Sequence, residues 1–105
     1  MGLFGKMGDM LGKLQEIKQK MKEIKDRLET TFIDVTGASG DIKLTINGNR
    51  KIQKLHISPA LQSASKEELE EQLKLTINKA VEEADRLNED EIKKVAGGFL
   101  PPGIL

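Results

Sequence analysis

The stretch that decides the fold is DIKLTING, residues 41–48, near the middle of a chain of 105 residues. Polar and apolar side chains alternate without a break over residues 41–46, with Ile42, Leu44 and Ile46 on one side. Alternation with a period of two is typical of a strand that buries one face. We therefore predict that Leu44 and Ile46 lie in the core.

Turn signals on both sides of this strand predict two further strands. Asn47-Gly48, followed by Asn49, is a strong hairpin signal, and the run GASG at 37–40 marks a second turn. The flanking strands are predicted over residues 30–36, which are rich in β-branched side chains, and over residues 51–57. In the last predicted strand, Leu55 and Ile57 fit one two-residue alternation of apolar side chains, but Ile52 does not. This mismatch predicts a β-bulge or a second buried face.

Helical periodicity flanks the three strands. Apolar residues spaced alternately by three and four predict a first helix of about 20 residues with a narrow apolar seam. Ser65 and Glu68 fit a capping box for a second helix, which Gly97-Gly98 ends. The glycine-rich residues 1–8 predict a flexible arm, and residues 97–105 an extended apolar tail. The seam residues of the first helix are Met7, Met10, Leu14, Ile17, Met21, Ile24 and Leu28.

The predicted fold is therefore α+β, in the order helix, three-stranded antiparallel meander, helix, within a single domain over residues 1–105. A helix of about 24 residues is about 36 Å long and a strand of about 7 residues about 23 Å, so both helices overhang the sheet. The sheet has two open edges, and a chain with three Phe and no Trp or Tyr builds a thin core. We expect a homodimer formed through the sheet, with projecting helices, in which the second helix covers the seam of the first.

Composition excludes several classes of function. The chain has no Cys and one His, which argues against zinc fingers, disulfide scaffolds and thiol catalysis. No phosphate loop, dinucleotide fingerprint or calcium loop is present, and His56 and the acidic run 67–71 are interpreted as surface residues. We predict no enzyme activity, no cofactor, no metal and no small-molecule substrate. With no long apolar run and no signal peptide, the prediction is a cytoplasmic protein without a membrane segment.

Charge is distributed unevenly along the chain. Its 17 basic and 17 acidic residues cancel, but residues 1–54 hold 11 basic and 7 acidic residues, a net +4, and residues 55–105 hold 6 and 10, a net −4. Several cations on one face are what phosphate binding requires. Two interpretations stay open: the basic flank of the first helix contacts DNA, or it pairs with the acidic second helix. The candidate DNA contacts are Lys13, Lys18, Lys20, Lys22, Lys25 and Arg27 on the first helix, and Arg50, Lys51 and Lys54 in and after the hairpin.

Several short motifs occur in a fixed order along the chain. They are VTGASG at 35–40, TING at 45–48, LHISPAL at 55–61, GGFLPPG at 97–103, and a Gly/Met-rich opening before a helix containing Gln15, Gln19 and Met21. In this order the motifs resemble a known family, the YbaB/EbfC nucleoid-associated proteins, over nearly the whole chain. The resemblance implies a small bacterial homodimer that grips double-stranded DNA between projecting helices, located on the nucleoid, without catalysis or cofactor. The alternative function is a protein-interaction or assembly factor that holds a partner protein with its helical seams.

Overall fold

The computed structural model describes the backbone of residues 2–96 and the side chains of residues 10–95. It has the predicted α+β order of helix, three-stranded antiparallel sheet and helix, with one additional short helix between the sheet and the last helix. The elements are α1 (Gly2–Glu29), β1 (Phe32–Gly37), β2 (Ile42–Asn47), β3 (Ile52–Ile57), α2 (Pro59–Gln62) and α3 (Lys66–Ala96).

The three strands form a meander with β2 in the centre. Val35 of β1 lies opposite Leu44 of β2, which in turn lies opposite Leu55 of β3. The register between β2 and β3 shifts at Thr45/Ile46, so that Ile46 pairs with Ile52. The predicted bulge is thereby confirmed, and it returns Ile52 to the same face as Leu55.

The core lies between the sheet and α3. Val35, Leu44 and Ile46 are buried against Ala80 and Ala84, whose small side chains let the helix approach closely. The predicted burial of Leu44 and Ile46 is confirmed, at 2% and 0% exposure.

The third strand is not covered in the same way, because α3 lies over β1 and β2. Ile52 and Leu55 share the helix-facing side of the sheet with Leu44, yet they are 43% and 49% exposed. The single chain therefore leaves an apolar strip along β3.

The first helix differs from the sequence prediction in its length and in how much of its apolar seam is buried. It begins at Gly2 rather than at Met7, so the backbone of residues 2–8, predicted as a flexible arm, is helical. A glycine in a helix costs about 1 kcal/mol relative to alanine, but extending a formed helix adds a hydrogen bond for each residue fixed. The predicted tail at 97–105 lies outside the described residues.

Helix α3 covers only the C-terminal part of the seam. Ile24 and Leu28 are buried, whereas Met10 and Leu14 are 64% and 52% exposed. The expectation that the second helix covers the seam of the first is therefore wrong for Met10 and Leu14 in the single chain, whereas Ile24 and Arg27 line a groove with Glu91 and Val95 near the end of α3.

Serine side chains cap both helices that follow the sheet. The Leu61 amide donates to Ser58 Oγ at 3.3 Å, and the Glu68 amide donates to Ser65 Oγ at 3.1 Å. The predicted cap at Ser65 is confirmed. The sequence analysis predicts no helix at residues 59–62, although Pro at the first helical position and Ser before it favour a helix start.

Replacing Leu44 by alanine tests the core. Because Leu44 is buried between β1, β3 and α3, we expect Leu44→Ala to lower the free energy of unfolding by about 2–5 kcal/mol, measured by urea denaturation. Leu75→Ala on the exposed side of α3 removes the same atoms and should change stability by less than about 0.5 kcal/mol. Equal effects of the two substitutions would show that the wrong face had been assigned to the core.

Candidate nucleic-acid interface

The hairpin between β2 and β3 closes through a three-residue loop. The Arg50 amide donates to the Asn47 carbonyl at 3.1 Å, and the Asn47 amide donates to the Lys51 carbonyl at 2.9 Å. Arg50 has a φ of 67°, the left-handed residue that such loops need. The predicted hairpin is confirmed, but Gly48 is absent from the residues with positive φ, so it serves another purpose.

That purpose is close contact with the end of α1. The Gly48 amide donates to the carbonyls of Leu28 and Thr31, both at 3.0 Å. A Cβ at position 48 would lie 2.6 Å from Leu28 Cδ2, which is closer than packed atoms approach. Only glycine fits this contact without a shift of the helix or the hairpin.

Two asparagine side chains complete the contact between hairpin and helix. Asn49 Nδ2 donates to the Lys25 carbonyl at 2.9 Å, and Asn47 Nδ2 donates to the Glu29 carbonyl at 3.2 Å. The last four carbonyls of a helix have no partner within the helix. The hairpin supplies donors for two of them, at Leu28 and Glu29, and a further donor to the Lys25 carbonyl one turn earlier, and thereby holds the end of α1 against the sheet.

The Glu29 carboxylate joins this contact. Hydrogen bonds from Asn49 Nδ2 at 2.7 Å and from Lys51 Nζ at 3.1 Å lower its pKa below the usual 4.5, with further attraction from the charges of Lys51 and Lys25. Glu29 is therefore ionised at neutral pH and holds Lys51 beside the helix end.

Ion pairs also connect the basic half of the chain to α3. Arg27 pairs with Glu91, and Arg50 pairs with Asp85. Burial raises the pKa of Glu91, but hydrogen bonds from Lys94 and Arg27 outweigh it, so the pKa is lowered. Asn88 Nδ2 also donates to the Gly48 carbonyl at 3.4 Å. Together these contacts hold α1, the hairpin and α3 at one junction.

The nine candidate DNA contacts therefore separate into groups. Arg27, Arg50 and Lys51 are engaged in ion pairs within the chain. Lys20 Nζ lies 3.7 Å from Glu23 Oε2 on the same exposed face of the helix. An ion pair of this kind contributes little to stability because water surrounds it. For Arg27, the sequence alternative of pairing with the acidic second helix is the arrangement found.

Three lysines on α1 have no ion-pair partner among the described side chains. Among the side chains of residues 10–95, Lys18, Lys22 and Lys25 are exposed and form no ion pair within 4 Å. Lys18 and Lys25 are seven residues apart, about two helical turns, and so lie along one stripe. Lys13 is also exposed and shares the other stripe, seven residues before Lys20. This part of α1 can present several cations to one ligand.

Lys54 belongs to a different surface from the rest of the hairpin. It lies opposite Thr45 on the face of the sheet that points away from α3. Lys43 and His56 are direct neighbours in the register and lie on the same face. Lys43 is absent from the sequence-based candidates. Its alternation with the buried Ile42 and Leu44 could have placed it on this face of the sheet.

Other kinds of site have little support in the described part of the chain. Within it, no group of three or more His, Asp or Glu side chains is placed to hold a metal ion. None of the described helices is both long enough and apolar enough to cross a bilayer. A groove with a volume of about 530 Å³ lies between the hairpin, α1 and α3. Its lining residues are Met21, Ile24, Lys25, Asn49, Arg50, Lys51, Asn88 and Ile92.

Comparison with known proteins gives consistent matches. The model of the YbaB/EbfC DNA-binding family matches residues 3–99. A nucleoid-associated protein of Flavobacterium johnsoniae is 41% identical over 80 residues, 74% of each chain. One from Chlorobium phaeovibrioides is 31% identical over 97 residues, 92% of this chain and 88% of the relative. The crystal structure of an uncharacterized Helicobacter pylori protein has the same fold, with a TM-score of 0.65 and 20% identity over 83% of this chain and 98% of its own.

Proposed function

Because the chain belongs to the YbaB/EbfC DNA-binding family, we propose that it binds double-stranded DNA as a homodimer, mainly through phosphate groups. The relatives named nucleoid-associated proteins support a place on the nucleoid in the cytoplasm. The proposed function needs no catalysis and no cofactor.

The phosphate-binding proposal rests on the exposed lysines of α1 that form no ion pair with the described acids. Lys18, Lys22 and Lys25 are exposed and form no ion pair with the described acids, whereas Arg27, Arg50 and Lys51 each pair with one. An unpaired cation releases counterions from DNA without first breaking an ion pair in the protein. The hairpin holds the end of α1 against the sheet, so these lysines sit on a helix whose position is fixed. Lys13 and Lys20 are secondary contacts in this proposal.

The apolar strip on β3 supports the homodimer. Ile52 and Leu55 are about half exposed on the side of the sheet where α3 buries their neighbours. The edge of β3 also has backbone groups without a partner strand, since the sheet order is β1-β2-β3. A second copy at this edge would cover both the apolar side chains and the edge.

The exposed seam of α1 favours a second candidate function. Met10, Leu11 and Leu14 are between 52% and 64% exposed, and an apolar helix stripe of this kind can hold a partner protein. Such binding would be apolar and tolerant of salt, whereas phosphate binding weakens steeply as salt rises.

Removing the open lysines tests the DNA interface. We expect wild-type binding to unrelated duplexes, measured by fluorescence anisotropy, to fall with a slope of about −4 or steeper in log affinity against log salt. The variant Lys18→Gln/Lys22→Gln/Lys25→Gln keeps helix propensity and should make that slope shallower by about 0.9 for each removed lysine that contacts a phosphate, equally for every duplex sequence.

A matched control removes the same charge from α3. Lys66→Gln/Lys74→Gln/Lys79→Gln replaces three exposed lysines on the acidic helix and should bind nearly as the wild type does. Circular dichroism should show unchanged helix content in both triple variants. Equal weakening by the two variants would mean that only net charge matters, and would contradict an interface on α1.

Sedimentation equilibrium tests the homodimer. We expect twice the chain mass of 11.6 kDa at micromolar concentration. Leu55→Glu places a charge in the apolar strip and should shift the protein to monomer, while Met10→Glu on the distant seam of α1 should leave the dimer intact. A monomeric wild type would contradict the proposed homodimer. Dissociation by Met10→Glu but not by Leu55→Glu would show that the interface lies on the helices instead.

A further inference from the structure

The open face of the sheet, which points away from α3, gathers three basic side chains. Lys43 of β2 and His56 of β3 are directly opposite each other in the register. Lys54 is two residues before His56 on the same strand, about 7 Å away. Opposed residues in a sheet have Cβ atoms about 5 Å apart, so all three side chains can reach one anionic group.

This face is open to a ligand. Lys43, Lys54 and His56 are exposed, and they line a shallow depression of about 330 Å³ together with Thr36 and Thr45. The acid that lines the same depression is Asp34, whose Oδ1 accepts a hydrogen bond from the Thr45 hydroxyl at 2.7 Å. The two lysines form no ion pair with Asp34 or with another of the described acids, so the depression has a net positive charge.

Folding alone does not explain this placement. Lysines often protect the edges of sheets, which accounts for Lys54 on β3 but not for Lys43 on the central strand. Opposite charges across a strand pair stabilise a sheet, whereas like charges directly opposite each other destabilise it. Lys43 lies directly opposite His56 rather than an acid, so no cross-strand ion pair accounts for a lysine at this position of the central strand.

We propose that Lys43, Lys54 and His56 form a second phosphate-binding surface for duplex DNA, separate from the lysines of α1. This inference rests on the proposed function, since it adds a contact surface to a DNA-binding protein. The two lysines supply the charge, and the Thr36 hydroxyl, on the same face beside Lys43, can donate a hydrogen bond to a phosphate oxygen.

Variants of the sheet face test the inference by anisotropy with the full chain and unrelated duplexes. We expect Lys43→Gln/Lys54→Gln to make the slope of log affinity against log salt shallower by about 0.9 for each removed lysine that contacts a phosphate. The control Lys66→Gln/Lys74→Gln removes two exposed lysines from α3, which pair with Glu70 and Glu71, and should keep the wild-type slope.

The single imidazole gives an independent readout in the wild-type protein. The chain has one His, so its Cε1 proton gives one assignable NMR signal. We expect that signal to shift when a duplex is added at low salt and to return when salt is raised.

Each outcome decides between the two proposals. An unchanged salt slope and an unmoved His56 signal, with binding still weakened by the α1 variant, would overturn the sheet-face surface and leave the proposed function standing. Absence of any duplex binding by the wild type would overturn both.

Discussion

The contact between Gly48 and the end of α1 is the constraint on which the rest of the structure depends. The Gly48 amide bonds to the carbonyls of Leu28 and Thr31, and no side chain fits between the hairpin and Leu28. This contact joins a helix that otherwise touches little of the core to a sheet covered by α3. It also brings Arg50 to Asp85 and Arg27 to Glu91, so one tight turn sets the positions of both long helices.

Charge explains how a chain with no net charge can still bind a polyanion. The basic half and the acidic half meet at the junction of α1, the hairpin and α3, and there cations and anions neutralise each other in pairs. N-terminal to Arg27 on α1, Lys18, Lys22 and Lys25 form no ion pair with a described acid of α3. The cations left on α1 and on the open sheet face are therefore the ones that we propose as phosphate contacts. Net charge affects solubility and long-range attraction, whereas the proposed binding surface rests on the unpaired cations.

Local pattern is sufficient to predict the three strands and the two long helices, but not the contacts between them. The alternation at 42–46 and the turn at Asn47-Gly48 predicted the meander and the buried face, since both depend on neighbouring residues. Leu55 follows the same alternation, but its exposure depends on how far α3 extends across the sheet, which no local pattern encodes. Arg27 and Arg50 could not be separated from Lys18 and Lys25 for a similar reason, because their partners lie 64 and 35 residues away in the chain. The predicted α1 is too short because the prediction considers the low helix propensity of glycine but not the hydrogen bonds gained when a formed helix is extended.

The free energy of unfolding of Gly48→Ala tests most directly the claim that this contact holds the fold together. The added methyl must displace Leu28 or the hairpin, so the account predicts a loss of about 1–3 kcal/mol in urea denaturation at neutral pH. Gly12→Ala is the reference, because a Cβ there meets nothing within 4 Å and alanine favours the helix by about 1 kcal/mol. A Gly48→Ala protein as stable as the wild type, or more stable, would show that the hairpin does not fix the end of α1.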